Sequence, residues 1–149
     1  MITKIAAFAL IIGSGLFVGC RSSKDNAASS GAPAAKAETA VKEVAVAEVA
    51  TFIKEKSATI FDANGEETRK EYGVVPGAVL LTSSKNFSMD VLPASKSSKL
   101  VFYCGGVMCR ASDSAASRAA QAGYSDVNVM RDGIKGWKSA GQPTEMPRS

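Results

Sequence analysis

Two cysteines and an arginine stand close together in one glycine-rich segment, which holds the residues best suited to chemistry. The segment runs Cys104-Gly105-Gly106-Val107-Met108-Cys109-Arg110, between an apolar run and a stretch of strong helix formers. A loop between a strand and a helix can direct successive backbone N–H groups at one point, and the following helix adds its positive end. Two adjacent glycines permit the tight backbone path that such a loop needs.

The spacing in this segment predicts a nucleophilic thiol. Within such a loop Cys104 is expected to ionise readily and to be largely thiolate at neutral pH. Arg110 supplies a fixed cation that can bind a tetrahedral anion through two parallel hydrogen bonds. The loop can therefore activate Cys104 and bind an anion without help from a histidine.

Composition excludes several other kinds of site. The chain has 149 residues, 46% of them apolar, and no histidine. This length accommodates one domain of common size. The missing histidine excludes Ser-His-Asp and Cys-His catalysis, and two soft ligands in the loop are too few for a metal site. We therefore predict no metal and no cofactor.

The cysteine pair has a second interpretation, a disulfide formed in an oxidising compartment. Cys104 and Cys109 are five positions apart, so one loop could bring their Cβ atoms within the ~3.5–4.5 Å that a disulfide needs. In that case oxidation would reversibly silence the thiol. Alternatively, Cys109 is a small apolar filler beneath the loop.

Strand and helix signals alternate along the last two-thirds of the chain and predict an α/β domain. The alternation indicates a mostly parallel central sheet of about five strands with helices on both faces. Functional groups in such sheets lie at the carboxyl ends of the strands, where Asp62 and Cys104 are expected. Predicted strands cover 41–44, 58–61, 78–81, 100–103 and 127–130, and predicted helical segments cover 46–56, 66–72, 87–92, 111–122 and 134–140.

The N-terminal segment has the pattern of an export signal. Lys4 precedes an apolar run of about a dozen residues, which is short for a membrane span of ~20 residues but suits a signal peptide. The Gly19-Cys20 junction resembles the lipobox of bacterial lipoproteins. The resemblance implies a signal peptide over 1–19, lipid modification of Cys20 and membrane anchoring on the periplasmic side. Arg21 follows where an aspartate would resemble an inner-membrane retention signal, which favours the outer membrane.

Residues 20–40 are rich in serine and alanine and contain almost no large apolar side chains. Such a segment cannot bury enough surface to offset its ordering entropy, so it is predicted to be a flexible tether. The domain itself is predicted over 41–145. The chain has 18 basic and 14 acidic residues, and removing Lys4 with the signal peptide leaves a net charge of +3. This small, unclustered excess gives no case for nucleic-acid binding.

Four segments in order resemble the single-domain rhodaneses, also called thiosulfate sulfurtransferases. They match the family's strand ending in Asp, its Gly-His-Ile-Pro-Gly-Ala segment, the strand leading into its cysteine, and its Trp…Ala-Gly-x-Pro ending. The resemblance covers about 100 residues and implies the rhodanese fold. The segments are Ile60-Phe61-Asp62, Tyr72-Gly73-Val74-Val75-Pro76-Gly77-Ala78, Val101-Phe102-Tyr103-Cys104, and Asp132-Gly133-Ile134-Lys135-Gly136-Trp137 with Ala140-Gly141-Gln142-Pro143.

The chain departs from the family pattern at three places. Asn64 replaces the arginine of an Asp-x-Arg motif, and Val74 replaces the histidine before Pro-Gly. Five residues separate Cys104 from Arg110, whereas sulfurtransferase loops usually have four. The longer loop resembles that of phosphatases and arsenate reductases of the same fold. The alternatives are therefore an oxyanion enzyme of that kind, or a redox-sensing or non-enzymatic module with a Cys104–Cys109 disulfide.

The rhodanese resemblance implies a role for each loop residue. Cys104 would carry sulfur as a persulfide, between a small-molecule donor such as thiosulfate and a thiol acceptor. The N–H groups of 105–110 would stabilise thiolate and persulfide, and Arg110 would bind the departing sulfite. Asp62 would orient loop or substrate groups, or serve as a turn residue, and Val107 and Met108 would shape the mouth of the site or simply pack. Trp137 is expected in the core, and the protein is expected to be a monomer.

Overall fold

The computed structural model describes residues 40–147. The predicted signal peptide over 1–19, with Lys4, and the predicted lipidation site Cys20 lie outside the described residues. Of the predicted tether over 20–40, only Ala40 is described. Within 40–147, no helix has the length and apolar character required to cross a membrane.

Five parallel strands form one sheet in the order β1-β5-β4-β2-β3. This confirms the predicted parallel α/β architecture. The central strand β4 and its neighbour β2 are apolar runs of the sequence, as expected for strands covered on both faces. The strands are β1 (Lys42–Glu43), β2 (Thr59–Asp62), β3 (Val79–Leu80), β4 (Lys99–Tyr103) and β5 (Asp126–Met130).

Three of the four α-helices connect strands and the fourth follows β5, and their bounds lie within one residue of the predicted ones. The segment predicted as a brief helix over 87–92 is shorter, a 3₁₀ turn at Met89–Val91. Pro93 ends it two residues later, because proline cannot continue a helix. The helices are α1 (Val46–Glu55), α2 (Glu66–Tyr72), α3 (Ala111–Gln121) and α4 (Gly133–Ser139).

Alternation of side chains along the strands divides the core between the two sheet faces. On one face, strand residues including Phe61 and Phe102 pack with alanines of α3, and these two rings stack with centroids 4.9 Å apart. On the other face, Val101 packs with residues of α1 and α4. Trp137 of α4 is buried there, as predicted for a core residue. Helices on both faces are therefore confirmed.

Candidate functional site

Cys104 follows β4 directly and is almost completely buried, with 2% of its surface exposed. Its sulfur is joined to that of Cys109 in a disulfide, and the two Cα atoms are 6.2 Å apart. The structure therefore brings together the two thiols that the sequence singled out, in their oxidised form. Among residues 40–147, no group of three or more acidic or cysteine side chains is arranged to hold a metal ion.

Ser112 is a site residue that the sequence analysis missed. It is the second residue of α3 and is buried, and its Oγ lies 3.3 Å from Sγ of Cys104. A disulfide sulfur has no proton to donate, so the Ser112 hydroxyl is the donor in this contact. After reduction the same hydroxyl is placed to donate to a Cys104 thiolate. The sequence carried no signal for this contact, because it depends on how α3 is rotated about its own axis.

The first two carbonyl groups of the loop are bound by the start of α4. The backbone N–H of Ile134 donates to the carbonyl of Cys104 at 2.8 Å, and that of Lys135 donates to the carbonyl of Gly105 at 3.2 Å. In a trans peptide the N–H points opposite to the carbonyl of the preceding residue. The N–H groups of Gly105 and Gly106 are therefore directed away from α4.

Gly133 permits this close approach. Its φ is +60°, and a Cβ at this position would lie 2.6 Å from the nitrogen of Gly106 and 2.8 Å from the carbonyl carbon of Gly105. Real Cβ atoms do not come so close to backbone. A glycine is therefore needed here both for its conformation and for the space it leaves to the loop.

The loop has backbone donors without acceptors. The N–H of Cys109 donates to the carbonyl of Gly106 at 2.9 Å and closes a turn. Within the described part of the chain, the N–H groups of Gly105, Gly106, Val107 and Met108 donate to no acceptor. Val107 and Met108 form the exposed tip of the loop, and Met108 is 90% exposed. The loop thus has the donors that an anion-binding loop needs.

Arg110 lies on the outside of the loop, with its side chain 77% exposed. Its guanidinium binds Asp113 at 3.3 Å, and Arg131 binds the same carboxylate at 2.7 and 3.0 Å. The hydrogen bond from Arg131 is the main cause that lowers the pKa of Asp113, and Arg110 contributes less. No contact recorded for residues 40–147 joins the Arg110 guanidinium to Cys104, so the structure does not bring the predicted anion-binding cation to the thiol.

Asp62 is fully buried at the end of β2. Its carboxylate accepts hydrogen bonds from the Tyr103 hydroxyl at 2.5 Å, the Asn64 backbone N–H at 2.7 Å and Arg69 Nε at 3.2 Å. Arg69 also donates to the backbone carbonyls of Asp62 and Leu81. These hydrogen bonds to the Asp62 carboxylate connect the ends of β2 and β4 with the turn at Asn64 and with α2. Within residues 40–147, none of them reaches the cysteine loop.

Arg69 is the second residue that the sequence analysis missed. Asn64 occupies the position where the rhodanese pattern has an arginine, and the guanidinium that pairs with Asp62 comes from α2 instead. The available sequence signal was the position of Arg69, one helical turn before the end of the first glycine-bounded helix after Asp62. Spacing alone does not give the direction in which the Arg69 side chain points.

Tyr103 connects this carboxylate to the turn before β3. Its hydroxyl donates to Asp62 and accepts the backbone N–H of Val75 at 3.0 Å. Burial is the largest cause that raises the pKa of Tyr103, and the neighbouring Asp62 carboxylate raises it further. Tyr103 is therefore held in its neutral form.

The fold and the site together define an α/β domain with a cysteine loop at the carboxyl edge of a parallel sheet. The family model of the rhodanese-like domain matches residues 45–140, so the chain belongs to the rhodanese-like domain family. No curated protein has a significant sequence match to this chain.

Solved structures with the same fold include proteins with different described activities. A human single-domain sulfurtransferase has 18% identity and a TM-score of 0.53, covering 67% of this chain and 97% of that one. A possible tyrosine phosphatase of unknown function from Rhodopseudomonas palustris has 23% identity and a TM-score of 0.58, covering 70% and 85%. A rhodanese-related protein from Thermoplasma volcanium has 19% identity and a TM-score of 0.55, covering 68% and 95%. At these identities the similarity establishes the fold.

Proposed function

We propose that this protein is a sulfurtransferase that carries a sulfane sulfur on Cys104. The observation that carries this proposal is the position of Cys104, buried at the base of a loop whose first backbone N–H groups have no acceptor in the described region. The Ser112 hydroxyl adds a further donor 3.3 Å from the sulfur. Donors fixed around one sulfur stabilise a thiolate and a persulfide anion in the same way.

The reaction begins from the reduced loop. A dithiol reductant gives two electrons to the Cys104–Cys109 disulfide and becomes a disulfide itself. The Cys104 thiolate then attacks the outer sulfur of thiosulfate; a new S–S bond forms, the S–S bond of thiosulfate breaks, and its electron pair leaves with sulfite. A thiolate acceptor next attacks the outer sulfur of the persulfide. This step yields a persulfide on the acceptor and restores the Cys104 thiolate.

In this proposal the polar residues around the loop have distinct roles. Gly105, Gly106, Val107 and Met108 bind developing negative charge through their backbone N–H groups. Arg110 directly follows Cys109 in the chain, and its side chain is exposed. Its guanidinium can therefore release the Asp113 carboxylate and bind a departing sulfite. Asp62 acts through the strand ends that it holds.

A second candidate function is redox sensing, and the Cys104–Cys109 bond favours it. In that case the two thiols are oxidised to the disulfide by two-electron transfer to a disulfide or peroxide oxidant, and no sulfur is transferred. The two candidates differ in their products. Only the sulfurtransferase releases sulfite and gains one sulfur atom.

The test is intact mass of the reduced protein after thiosulfate treatment. We expect one added sulfur atom on the wild type and on Cys109→Ser, and none on Cys104→Ser, because an oxygen at this position cannot form the persulfide. Added sulfur on Cys104→Ser that disappears in Cys109→Ser would assign the nucleophile to Cys109. Phosphate release from an aryl phosphate without sulfite release from thiosulfate would favour the phosphatase-like alternative, and neither activity would favour redox sensing.

We also propose that the domain is exported and attached by a lipid on Cys20 to a membrane, facing the periplasm. This proposal rests on the Gly19-Cys20 junction after an apolar run. Wild-type protein is expected in the membrane fraction with an added lipid mass, and Cys20→Ser is expected to lack it. Wild-type protein recovered from the cytoplasm with Met1 retained would disprove the proposal.

A further inference from the structure

The two cysteines of the Cys104–Cys109 bond differ in their access to solvent. Cys104 is 2% exposed, whereas Cys109 is only partly buried. Cys109 also stands between two exposed residues, since Met108 is 90% exposed and the side chain of Arg110 is 77% exposed. In this closed form of the loop, a thiol from solution is therefore better able to reach Cys109 than Cys104. The partial burial of Cys109 favours a small thiol over the surface of a protein.

The two sulfurs also differ in their hydrogen-bond donors. The Ser112 hydroxyl lies 3.3 Å from Sγ of Cys104. Within residues 40–147, no donor forms a hydrogen bond with Sγ of Cys109. The other polar atom near Sγ of Cys104 is the Cys109 carbonyl oxygen at 3.3 Å, which can accept only from a protonated thiol. Ser112 therefore favours negative charge on Cys104 over negative charge on Cys109.

These differences bear on how a thiol opens the bond. In thiol–disulfide exchange the thiolate attacks one sulfur, and the other sulfur leaves with the bonding electron pair. The rate rises with access to the attacked sulfur and with the stability of the leaving thiolate. Access favours attack on Cys109, and the Ser112 hydroxyl favours departure of Cys104. Both effects therefore favour the same one of the two possible directions.

We propose that Cys109 is a thiol-addition site at which a small-molecule thiol opens the loop. The thiolate attacks Sγ of Cys109 and a new S–S bond forms there; the Cys104–Cys109 bond breaks, and its electron pair stays on Cys104 next to Ser112. A second thiolate then attacks the small-molecule sulfur on Cys109 and releases the Cys109 thiolate. The two small thiols have become one disulfide, and the protein has gained two electrons.

The first product of this reaction carries the small thiol on Cys109 and has a free Cys104. The nucleophile of the proposed sulfurtransferase is therefore released in the first step, before Cys109 itself is reduced. The proposal rests on the proposed function for this consequence alone. Addition of a thiol to Cys109 does not require sulfur transfer.

The position of the added thiol tests the proposal. Oxidised full-length protein is mixed with glutathione and quenched in acid at successive times, and free thiols are alkylated with N-ethylmaleimide before digestion. Trypsin cuts after Lys99 and Arg110, so both cysteines fall in the peptide 100–110, and fragmentation between them locates each group. We expect the earliest product to carry glutathione on Cys109 and N-ethylmaleimide on Cys104. The opposite arrangement at the earliest time would overturn the proposal.

The rate at which glutathione opens the bond tests the role of Ser112. In Ser112→Ala the departing Cys104 loses its donor, so the rate constant is expected to fall about tenfold, the effect of one hydrogen bond to a developing anion. A loop that was merely loosened would open faster. Ser117→Ala is the matched control, because Ser117 is an exposed residue of the same helix, and it is expected to open at the wild-type rate. Equal rates for the two variants would overturn the assignment of Cys104 as the stabilised leaving group.

The position assay uses the wild type, so it decides the site of addition even if Ser112→Ala does not fold. Sulfur transfer is measured separately, as the mass gained from thiosulfate after full reduction. Glutathione on Cys109 of a protein that gains no sulfur would refute the sulfurtransferase and keep the thiol-addition site. Added sulfur on a protein that takes glutathione first on Cys104 would keep the sulfurtransferase and refute the thiol-addition site.

Discussion

Asp62 and Tyr103 stand directly opposite each other on the neighbouring strands β2 and β4, and a hydrogen bond of 2.5 Å joins their side chains. Each is the last residue of its strand. Cys104 comes next in the chain after Tyr103, so the backbone that enters the loop is fixed by this pair. The pair is therefore a support for the site rather than a part of it.

Removing the Tyr103 hydroxyl is expected to destabilise the fold. In Tyr103→Phe the buried Asp62 loses a donor and the Val75 N–H loses its acceptor. Unpaired buried groups cost about 1–3 kcal/mol, so urea unfolding should give a free energy of unfolding lower by about that amount. Tyr72→Phe is the matched control, because no hydrogen bond of the Tyr72 hydroxyl is recorded in the described region. Equal stability of the two variants would contradict the prediction.

Replacing Gly133 is expected to inactivate the loop. In Gly133→Ala the new Cβ collides with the backbone of Gly105 and Gly106, so α4 must move and release the loop carbonyls. Gly141→Ala is the matched control, since its φ is +73° and its Cβ would meet nothing within 4 Å. Both variants lose about 1–2 kcal/mol to the left-handed backbone conformation. Only Gly133→Ala is expected to lose persulfide formation in the mass assay, and equal activity of the two variants would show that the contact is dispensable.

Asp113 is expected to contribute to stability in a pH-dependent way. Its pKa is lowered in the folded protein, mainly by Arg131. The stabilisation is therefore complete above the unfolded pKa of ~3.9 and is lost as pH falls through the lower folded value. Asp113→Asn should show a shallower fall of Tm below about pH 4 than the wild type does. Glu55→Gln makes the same charge change at an exposed position, and an identical acid profile for both variants would refute the assignment.

Oxidation is expected to silence the protein reversibly through Cys109. In the wild type, mild peroxide closes the Cys104–Cys109 bond, and a thiol reductant restores the free Cys104. In Cys109→Ala the peroxide should drive Cys104 towards sulfinic acid, which a thiol reductant does not reverse. Persulfide formation is measured before peroxide, after peroxide and after reductant. Identical loss and recovery in both proteins would leave Cys109 as a packing residue.

The sheet and the place of the loop could be predicted because each depends on local sequence. Residues 100–103 form an unbroken apolar run, and a run of this kind between turn signals predicts a buried strand. Cys104 and the helix formers that follow then had to lie at the carboxyl edge of the sheet. The five-strand parallel sheet of the structure confirms this part.

The side-chain partners at the site could not be predicted, because they depend on how distant elements meet. Arg110 was expected at the anion, but it binds Asp113 one helical turn further on, a spacing of three residues that favours such pairs. The contact of Ser112 with Cys104 depends on the rotation of α3, and that of Arg69 with Asp62 depends on the direction of α2. Neither rotation nor direction is encoded in a short stretch of sequence.

The bonds from α4 to the loop carbonyls also set an order of events during biosynthesis. Cys104 and its loop leave the ribosome well before Ile134 and Lys135, which orient the first two loop peptides. Until that last helix has been synthesised and docked, nothing holds the N–H groups of the loop towards an anion. Under the proposed function, a nascent or C-terminally truncated chain would therefore carry an ordinary thiol, and Cys104 would be activated only after α4 has docked.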